Sequence, residues 1–159
     1  MIEGPYFVLA VLGVLGTGLV AGVFYGFSTF VMRGLGALPP AQGVAAMQSI
    51  NVTALRPAFM GLFAGTAVLS AVIAVVTFVL WPGEGRVELL LGSALYLFGT
   101  FGATIATNVP RNEALARLDA GTAEASAYWS RYLREWTVWN HVRTVASAAA
   151  AVSYLLAIA

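Results

Sequence analysis

The sequence predicts an all-α integral membrane protein, a four-helix bundle with a short amphipathic or re-entrant segment between its first two helices. Of its 159 residues, 60% are hydrophobic and only 9% are charged, and the mean hydropathy is +0.85. A soluble domain has about 25% charged residues. Four apolar segments are each able to form a helix that crosses about 30 Å of hydrocarbon. So short a chain leaves no room for a second domain, and residues 1–159 are predicted to form one transmembrane domain.

The first helix is predicted over residues 4–32, because no residue between Glu3 and Arg33 is charged. This length crosses a bilayer with some tilt. Gly18, Gly22 and Gly26 recur at every fourth position, the spacing that lets the backbone of a neighbouring helix approach closely. The three glycines predict either close packing within the bundle or contact with a second copy in a homo-oligomer.

The segment before the second helix contains Pro39 and Pro40, which interrupt a helix. Residues 41–55 after them are predicted to form a short amphipathic helix that lies at the membrane interface or tucks back against the bundle. The second helix is predicted over residues 57–81, with a proline in its first turn, where the missing N–H is not needed. Its end is a Trp-Pro-Gly sequence of interfacial type.

The third helix is predicted over residues 89–110 and forms an antiparallel hairpin with the second, because the link between them is short. Residues 111–135 are the most charged part of the chain. They predict two short surface helices around a turn at 119–122, followed by the fourth helix over residues 136–159.

The arginines predict the orientation in the cell membrane. The segments 33–56 and 111–135 lie on one side of the predicted bundle and carry six arginines, whereas the link on the other side carries only Arg86. Cytoplasmic loops are enriched in basic residues. Both segments are therefore predicted to be cytoplasmic and both termini extracytoplasmic.

Polar residues line one face of each of the last two helices. On the third helix they recur at spacings of three and four: Thr100, Thr104, Thr107, Asn108 and Arg111. On the fourth they cover an arc of roughly 160°, in the order Arg143, Trp136, Ser147, Asn140, Thr144, Thr137 and His141. Both faces lie near the same membrane surface, so we expect them to meet and to form a polar pocket. The structural alternative is that the arginines snorkel to headgroups while the amides join the helices.

His141 is the one histidine of the chain, and three roles differ in what they require. The sequence argues against a metal site within one subunit, because it has no second histidine and no cysteine. Axial ligation of haem requires only this imidazole and an aromatic pocket, so haem is an open alternative. The most economical role is that of a general base, oriented by Asn140, Thr144 or a loop carboxylate. No metal site is predicted.

The remaining features narrow the partners. Trp136 and Trp139 either belong to the interfacial aromatic belt or stack on a flat aromatic substrate. All the basic residues are arginines and the net charge is +1, which gives no basic stripe for nucleic acid. The expected partners are the lipid bilayer and a small hydrophobic molecule.

Three motifs lie in the second half of the chain: TNVPRNEAL at residues 107–115, the aromatics Trp129, Tyr132 and Trp136, and WNHVRT at residues 139–144. They resemble motifs of the anthrone oxygenase-like family of small four-helix membrane proteins. FSTFVM at 27–32, AAMQSIN at 45–51 and RPAFM at 56–60 are similar to its earlier motifs. Some members of that family oxidise anthrones to anthraquinones with dioxygen, without a dedicated cofactor. The resemblance implies functional positions at Asn108, Arg111, Asn112, Trp136, Asn140, His141 and Arg143.

This resemblance and the polar faces together suggest an oxidoreductase that acts on a flat, apolar phenolic or quinonoid molecule. His141 would remove an acidic proton, and an oxyanion would be stabilised by Arg143, Arg111, Asn140 and Asn108. The expected substrate contacts are Trp136, Trp139, Asn112, Thr144 and Thr104. The alternatives are a redox protein that binds haem or a quinone and a small transporter or lipid-binding protein.

Overall fold

The computed structural model describes residues 4–159 and contains five helices in this range. Four of them are long and apolar enough to cross a membrane. We number the helices in chain order: α1 is Pro5–Gly36, α2 is Pro40–Ala54, α3 is Pro57–Leu80, α4 is Arg86–Ala116 and α5 is Ala123–Ile158. No strand occurs in this part of the chain, so the predicted all-α membrane bundle is confirmed. Residues 1–3, where the predicted extracytoplasmic N-terminus begins, lie outside the described residues.

The bounds of α5 correct the prediction for the last quarter of the chain. The structure has one helix of 36 residues, Ala123–Ile158, instead of a short surface helix followed by a span that starts at residue 136. The Thr122 hydroxyl accepts a hydrogen bond from the Ala125 N–H at 3.2 Å and caps the helix start. No glycine or proline follows within the helix. At 1.5 Å per residue α5 is about 54 Å long, so it projects well beyond 30 Å of hydrocarbon.

The other bounds differ less. The first span continues to Gly36, the second stops at Leu80 and the third covers Arg86–Ala116 instead of 89–110. Trp81 ends α3 because it adopts a left-handed conformation with φ 47°. Pro110 does not end α4, because it lies in the first turn of the segment that follows a π-helical stretch.

Wide π turns interrupt two of the spans. One covers Phe27–Val31 in α1, and two lie in α4, at Leu95–Gly102 and Thr104–Asn108. Such turns shift the hydrogen bonding of the backbone and are frequent at functional sites. The hydropathy pattern gave no indication of them.

Helix α5 is the central element of the bundle, since it packs along both α1 and α4. The end that carries segments 33–56 and 111–135, which we call the arginine-rich end, has its own apolar core of nine buried side chains. Helix α2 closes this end, as predicted for the amphipathic segment, with Val44 and Met47 fully buried. The Gln48 amide donates at 2.9 Å to the carbonyl of Leu115, in the last turn of α4, and to that of Leu118, just after the helix.

The small residues that allow close packing are not those that the sequence suggested. A Cβ on Gly13 or Gly92 would lie 2.8 or 2.9 Å from the ring of Tyr154 in α5, so these glycines make room for that ring. Gly18 and Gly22 have no atom within 4 Å of such a Cβ, and the prediction that they pack within the bundle is wrong. Gly26 meets only Phe30 of its own helix. Contact of this face with a second copy stays a prediction.

Candidate functional site

The polar faces of α4 and α5 meet inside the bundle, as their spacing predicted. The hydroxyls of Thr100 and Ser147 lie 2.8 Å apart, and the Asn108 amide donates to the carbonyl of Trp136 at 3.3 Å. The Arg143 guanidinium donates from Nη1 to the Thr104 hydroxyl at 3.2 Å. These contacts join the two helices over about two turns.

Arg143 is buried, with 4% of its surface exposed, and does not snorkel to the surface. Its Nη2 donates to the Asn140 side-chain oxygen at 2.7 Å. The guanidinium carbon lies 4.1 Å from the ring centre of Phe24 and 5.0 Å from that of Trp136. Within residues 4–159 no carboxylate is ion-paired with Arg143. Two aromatic faces and two hydrogen bonds therefore stabilise a cation whose burial is otherwise costly, and its Nε has no partner.

Asn140 transmits the contact of Arg143 to α1. Its amide nitrogen donates to the Phe24 carbonyl and to the Ser28 hydroxyl, both at 2.7 Å. Asn140 has no exposed surface, and Ser28 lies in the π turn of α1. The amide thus has both of its protons satisfied, and its oxygen accepts from the buried guanidinium.

The three π segments converge on these buried polar groups. Ser28 comes from the π turn of α1, and Thr100, Thr104 and Asn108 come from those of α4. Each of them bonds to a residue of α5. We call the set of Ser28, Asn140, Arg143 and the half-buried Thr104 the polar core.

His141 lies elsewhere, although it is only two residues from Arg143. Its side chain is exposed and lines an open groove of about 460 Å³ between α1 and α5. The groove is formed by Ser28, Met32, Arg33, Ser130, Leu133, Arg134, Thr137 and His141. The prediction of a single pocket that holds both His141 and Arg143 is therefore wrong. Two residues apart on a helix differ by about 200°, which directs one side chain to the groove and the other into the bundle.

Ser28 is the residue common to the groove and the polar core. It lines the groove, and its hydroxyl oxygen lies 2.7 Å from the Asn140 nitrogen. A ligand in the groove would thus be separated from the buried guanidinium by one serine and one amide.

The other candidate residues at the arginine-rich end are occupied by contacts within the protein. Arg111 donates to Glu135 at 3.1 Å and to the Thr107 carbonyl at 2.6 Å. The Asn112 side-chain oxygen accepts from the Tyr132 hydroxyl at 2.7 Å and from the Trp136 indole N–H at 2.9 Å. These bonds hold α4 and α5 against each other at the end of the bundle that is predicted to be cytoplasmic.

The remaining predicted substrate contacts do not form one surface. Trp136 is 5% exposed and its ring packs 5.7 Å from that of Phe27, so it is an interior residue. The Thr144 hydroxyl donates back to the Asn140 carbonyl at 2.8 Å. Trp139 is half-buried. The structure brings Thr104 into the polar core but places none of these four side chains in the groove.

A comparison with protein families now bears on this arrangement. The sequence model of the anthrone oxygenase family matches residues 53–153, which is more than half of the chain. The chain belongs to the anthrone oxygenase family. Searches of curated proteins and of solved structures each find no significant match.

The part matched to the anthrone oxygenase family covers α3, α4 and most of α5, and so includes Asn140, His141 and Arg143. Ser28 and Arg33 of α1 lie before it, although they contribute to the groove. Sequence reasoning missed Ser28, Phe24 and the groove arginines as site residues. The signal available for Ser28 was its place in the FSTFVM motif, and Phe24 had none.

Proposed function

We propose that this member of the anthrone oxygenase family is a membrane-embedded oxidoreductase that oxidises a flat, apolar phenolic or quinonoid substrate with dioxygen. The observation that carries the proposal is the position of Ser28, which joins a groove containing an accessible imidazole to a buried guanidinium. The reaction takes place in the groove, by proton abstraction and stabilisation of the resulting oxyanion. No cofactor is required.

His141 is the general base. An imidazole transfers protons efficiently near neutral pH, and this one is exposed in the groove, where a substrate from the lipid or the interface can reach it. An anthrone-type substrate has a methylene group between two aromatic rings, and these rings connect it to a carbonyl. Loss of one methylene proton to His141 places negative charge on the carbonyl oxygen.

The oxyanion is stabilised by Ser28. Arg143 donates to the oxygen of Asn140, and the amide of Asn140 donates to the Ser28 hydroxyl oxygen. The Ser28 hydroxyl accepts this bond through its oxygen, so its proton can donate to a substrate oxygen in the groove. Hydrogen bonds in such a chain polarise one another, and the buried cation at its origin strengthens this effect. Arg143 and Asn140 are positioning residues in this mechanism, not groups that touch the substrate.

The redox step balances with dioxygen alone. The deprotonated substrate carbon reduces dioxygen and forms a C–O bond, and a proton then gives the hydroperoxide. Removal of the second proton from that carbon breaks the O–O bond, forms the new carbonyl and releases water. One methylene and one dioxygen thus give one ketone and one water, and His141 transfers the protons.

Asn108, Arg111 and Asn112 support the site from outside. Their side chains bond to Trp136, Glu135 and Tyr132 of α5. These bonds fix the orientation of α5 about its own axis. This orientation directs His141 to the groove and Arg143 to the polar core.

We also propose that the arginine-rich end is cytoplasmic. Six arginines in segments 33–56 and 111–135 support this orientation, against one, Arg86, in the opposite link. Reporter fusions at residue 159 and within the turn at 119–122 test it. A cytoplasmic signal from residue 159 would reverse the orientation.

Turnover tests the function directly. Purified protein in nanodiscs is supplied with an anthrone, and dioxygen uptake and quinone formation are measured together. We expect quinone to form faster than in empty nanodiscs and His141→Gln to lower kcat at least a hundredfold. Val138→Ala, an exposed change on the same helix outside the groove, is the control. Equal turnover in the His141→Gln variant overturns the proposed base.

Two alternatives give other results in the same preparation. If His141 binds haem, the purified protein has a Soret band that is absent from His141→Ala. If the protein transports or binds lipid instead, the anthrone is bound or moved without dioxygen uptake. Either result would contradict the proposal of a cofactor-independent oxygenase.

A further inference from the structure

The groove has two arginines at one end that the proposed reaction does not use. Arg33 comes from α1 and Arg134 from α5, and both line the groove. Within residues 4–159, the ion pairs to carboxylates involve Arg111, Arg117 and Arg131, and neither groove arginine takes part. Two cations on different helices thus face the same concave surface without an anionic partner from the described chain.

The charged groups and the imidazole lie at different positions along the groove. Arg134 and His141 lie seven residues apart on α5, which is two turns on one face and about 10 Å along the helix axis. Met32 and Leu133 line the groove together with them. Positive charge therefore occupies one end, and the imidazole occupies the other. The arrangement is complementary to a molecule that has an acidic group attached to an apolar body.

Arginines near a membrane surface commonly contact lipid headgroups, and an anionic lipid shares this chemistry. Two features favour the substrate as the occupant. The groove reaches Ser28, which bonds to the polar core, and it ends at the exposed His141. A lipid chain requires neither group, whereas a substrate that reacts at His141 requires both.

We propose that the substrate carries a carboxylate on the edge of the molecule farthest from the carbon that His141 deprotonates, and that Arg33 and Arg134 bind this carboxylate. The guanidinium fork matches the two oxygens of a carboxylate, which fixes the orientation of a flat molecule in the groove. The inference rests on the proposed function for the identity of the reacting group. The carboxylate site itself rests only on the two arginines and the groove.

The test compares two probes that differ only in the acid: an anthrone, and the same ring system with a carboxylate on its far edge. Nanodiscs contain zwitterionic lipid only. We expect a KM about tenfold lower for the carboxylated probe. Arg33→Gln and Arg134→Gln should each raise that KM about tenfold, leave kcat unchanged, and leave the KM of the neutral probe within about twofold.

Arg117→Gln is the matched control, because Arg117 is an exposed arginine at the same end that does not line the groove. Equal KM values for the two probes, or equal effects of the groove variants on both, overturn the carboxylate site. Loss of the carboxylate preference on adding anionic lipid, with lipid retained by wild type but not by Arg33→Gln, assigns the arginines to lipid and also overturns it.

Binding separates this inference from the proposed function. Quenching of tryptophan fluorescence gives the Kd of each probe without any turnover. If neither probe is oxidised, the proposed reaction fails, but a tenfold tighter Kd for the carboxylated probe that Arg33→Gln and Arg134→Gln abolish still supports the site. If both probes are oxidised and bind equally, the reaction stands and the carboxylate site is refuted.

Discussion

Ser28→Ala is the substitution that most directly separates a catalytic hydroxyl from a structural one. The change removes one oxygen from the π turn of α1 and leaves the Asn140 amide with its second acceptor, the Phe24 carbonyl, at 2.7 Å. One amide proton then loses its partner, which costs about 1–3 kcal/mol of unfolding free energy. The fold is therefore retained.

The effect on catalysis should be larger than this loss of stability suggests. If Ser28 donates to the oxyanion, its removal lowers kcat about 10²- to 10³-fold, the range for loss of one such donor. The KM for the substrate should change little, because the bond strengthens only as charge develops. Ser28→Thr keeps the hydroxyl and should recover a large part of the activity.

The matched control lies in the next position. Thr29 belongs to the same π turn, and its hydroxyl donates to the Tyr25 carbonyl at 2.8 Å, in an exposed position. Thr29→Val therefore removes a hydroxyl without reaching the groove. Quinone formation and thermal unfolding are measured for all three variants in nanodiscs. A kcat for Ser28→Ala within a factor of three of that for Thr29→Val would refute the proposed donor.

Three further substitutions, one of them with a control at Gly18, test separate contacts by unfolding and turnover. Arg143→Met should keep the unfolding free energy within about 2 kcal/mol of wild type, because a buried cation is costly. It should lower kcat about tenfold. Loss of folding in this variant would show that Arg143 has a structural role instead. Gly92→Ala should lower stability by about 1–3 kcal/mol, because its Cβ meets Tyr154 at 2.9 Å, whereas Gly18→Ala should be neutral. Asn112→Leu removes the acceptor of two buried donors, and a cost below about 1 kcal/mol would contradict its supporting role.

The spans and the polar faces could be predicted because they depend on periodicity. Thr104 of α4 meets Arg143 of α5 as their spacing indicated, and the charge-free stretches gave the four membrane helices. The start of α5 was predicted wrongly, although the sequence contains the information that locates it. Charged residues in 123–135 suggested a separate short surface helix, but this stretch has no glycine or proline and is continuous with the membrane helix outside the apolar region.

The division of the α5 polar arc could not be predicted. Periodicity gives the angle between His141 and Arg143, but not which neighbouring helix covers each part of the arc. In the structure α1 contacts the middle of the arc through Asn140, so Arg143 lies inside and His141 outside. The π turn that places Ser28 there has no clear signature in the local sequence.

The central claim is that His141 removes a proton from the substrate in the groove, and this step can be measured without dioxygen. Under anaerobic conditions in D₂O, the wild type should accelerate exchange of the anthrone methylene hydrogens above the rate in empty nanodiscs. His141→Gln should reduce exchange to that background, while Val138→Ala exchanges like wild type. Exchange at the wild-type rate in His141→Gln would contradict the account, because another group would then be the base.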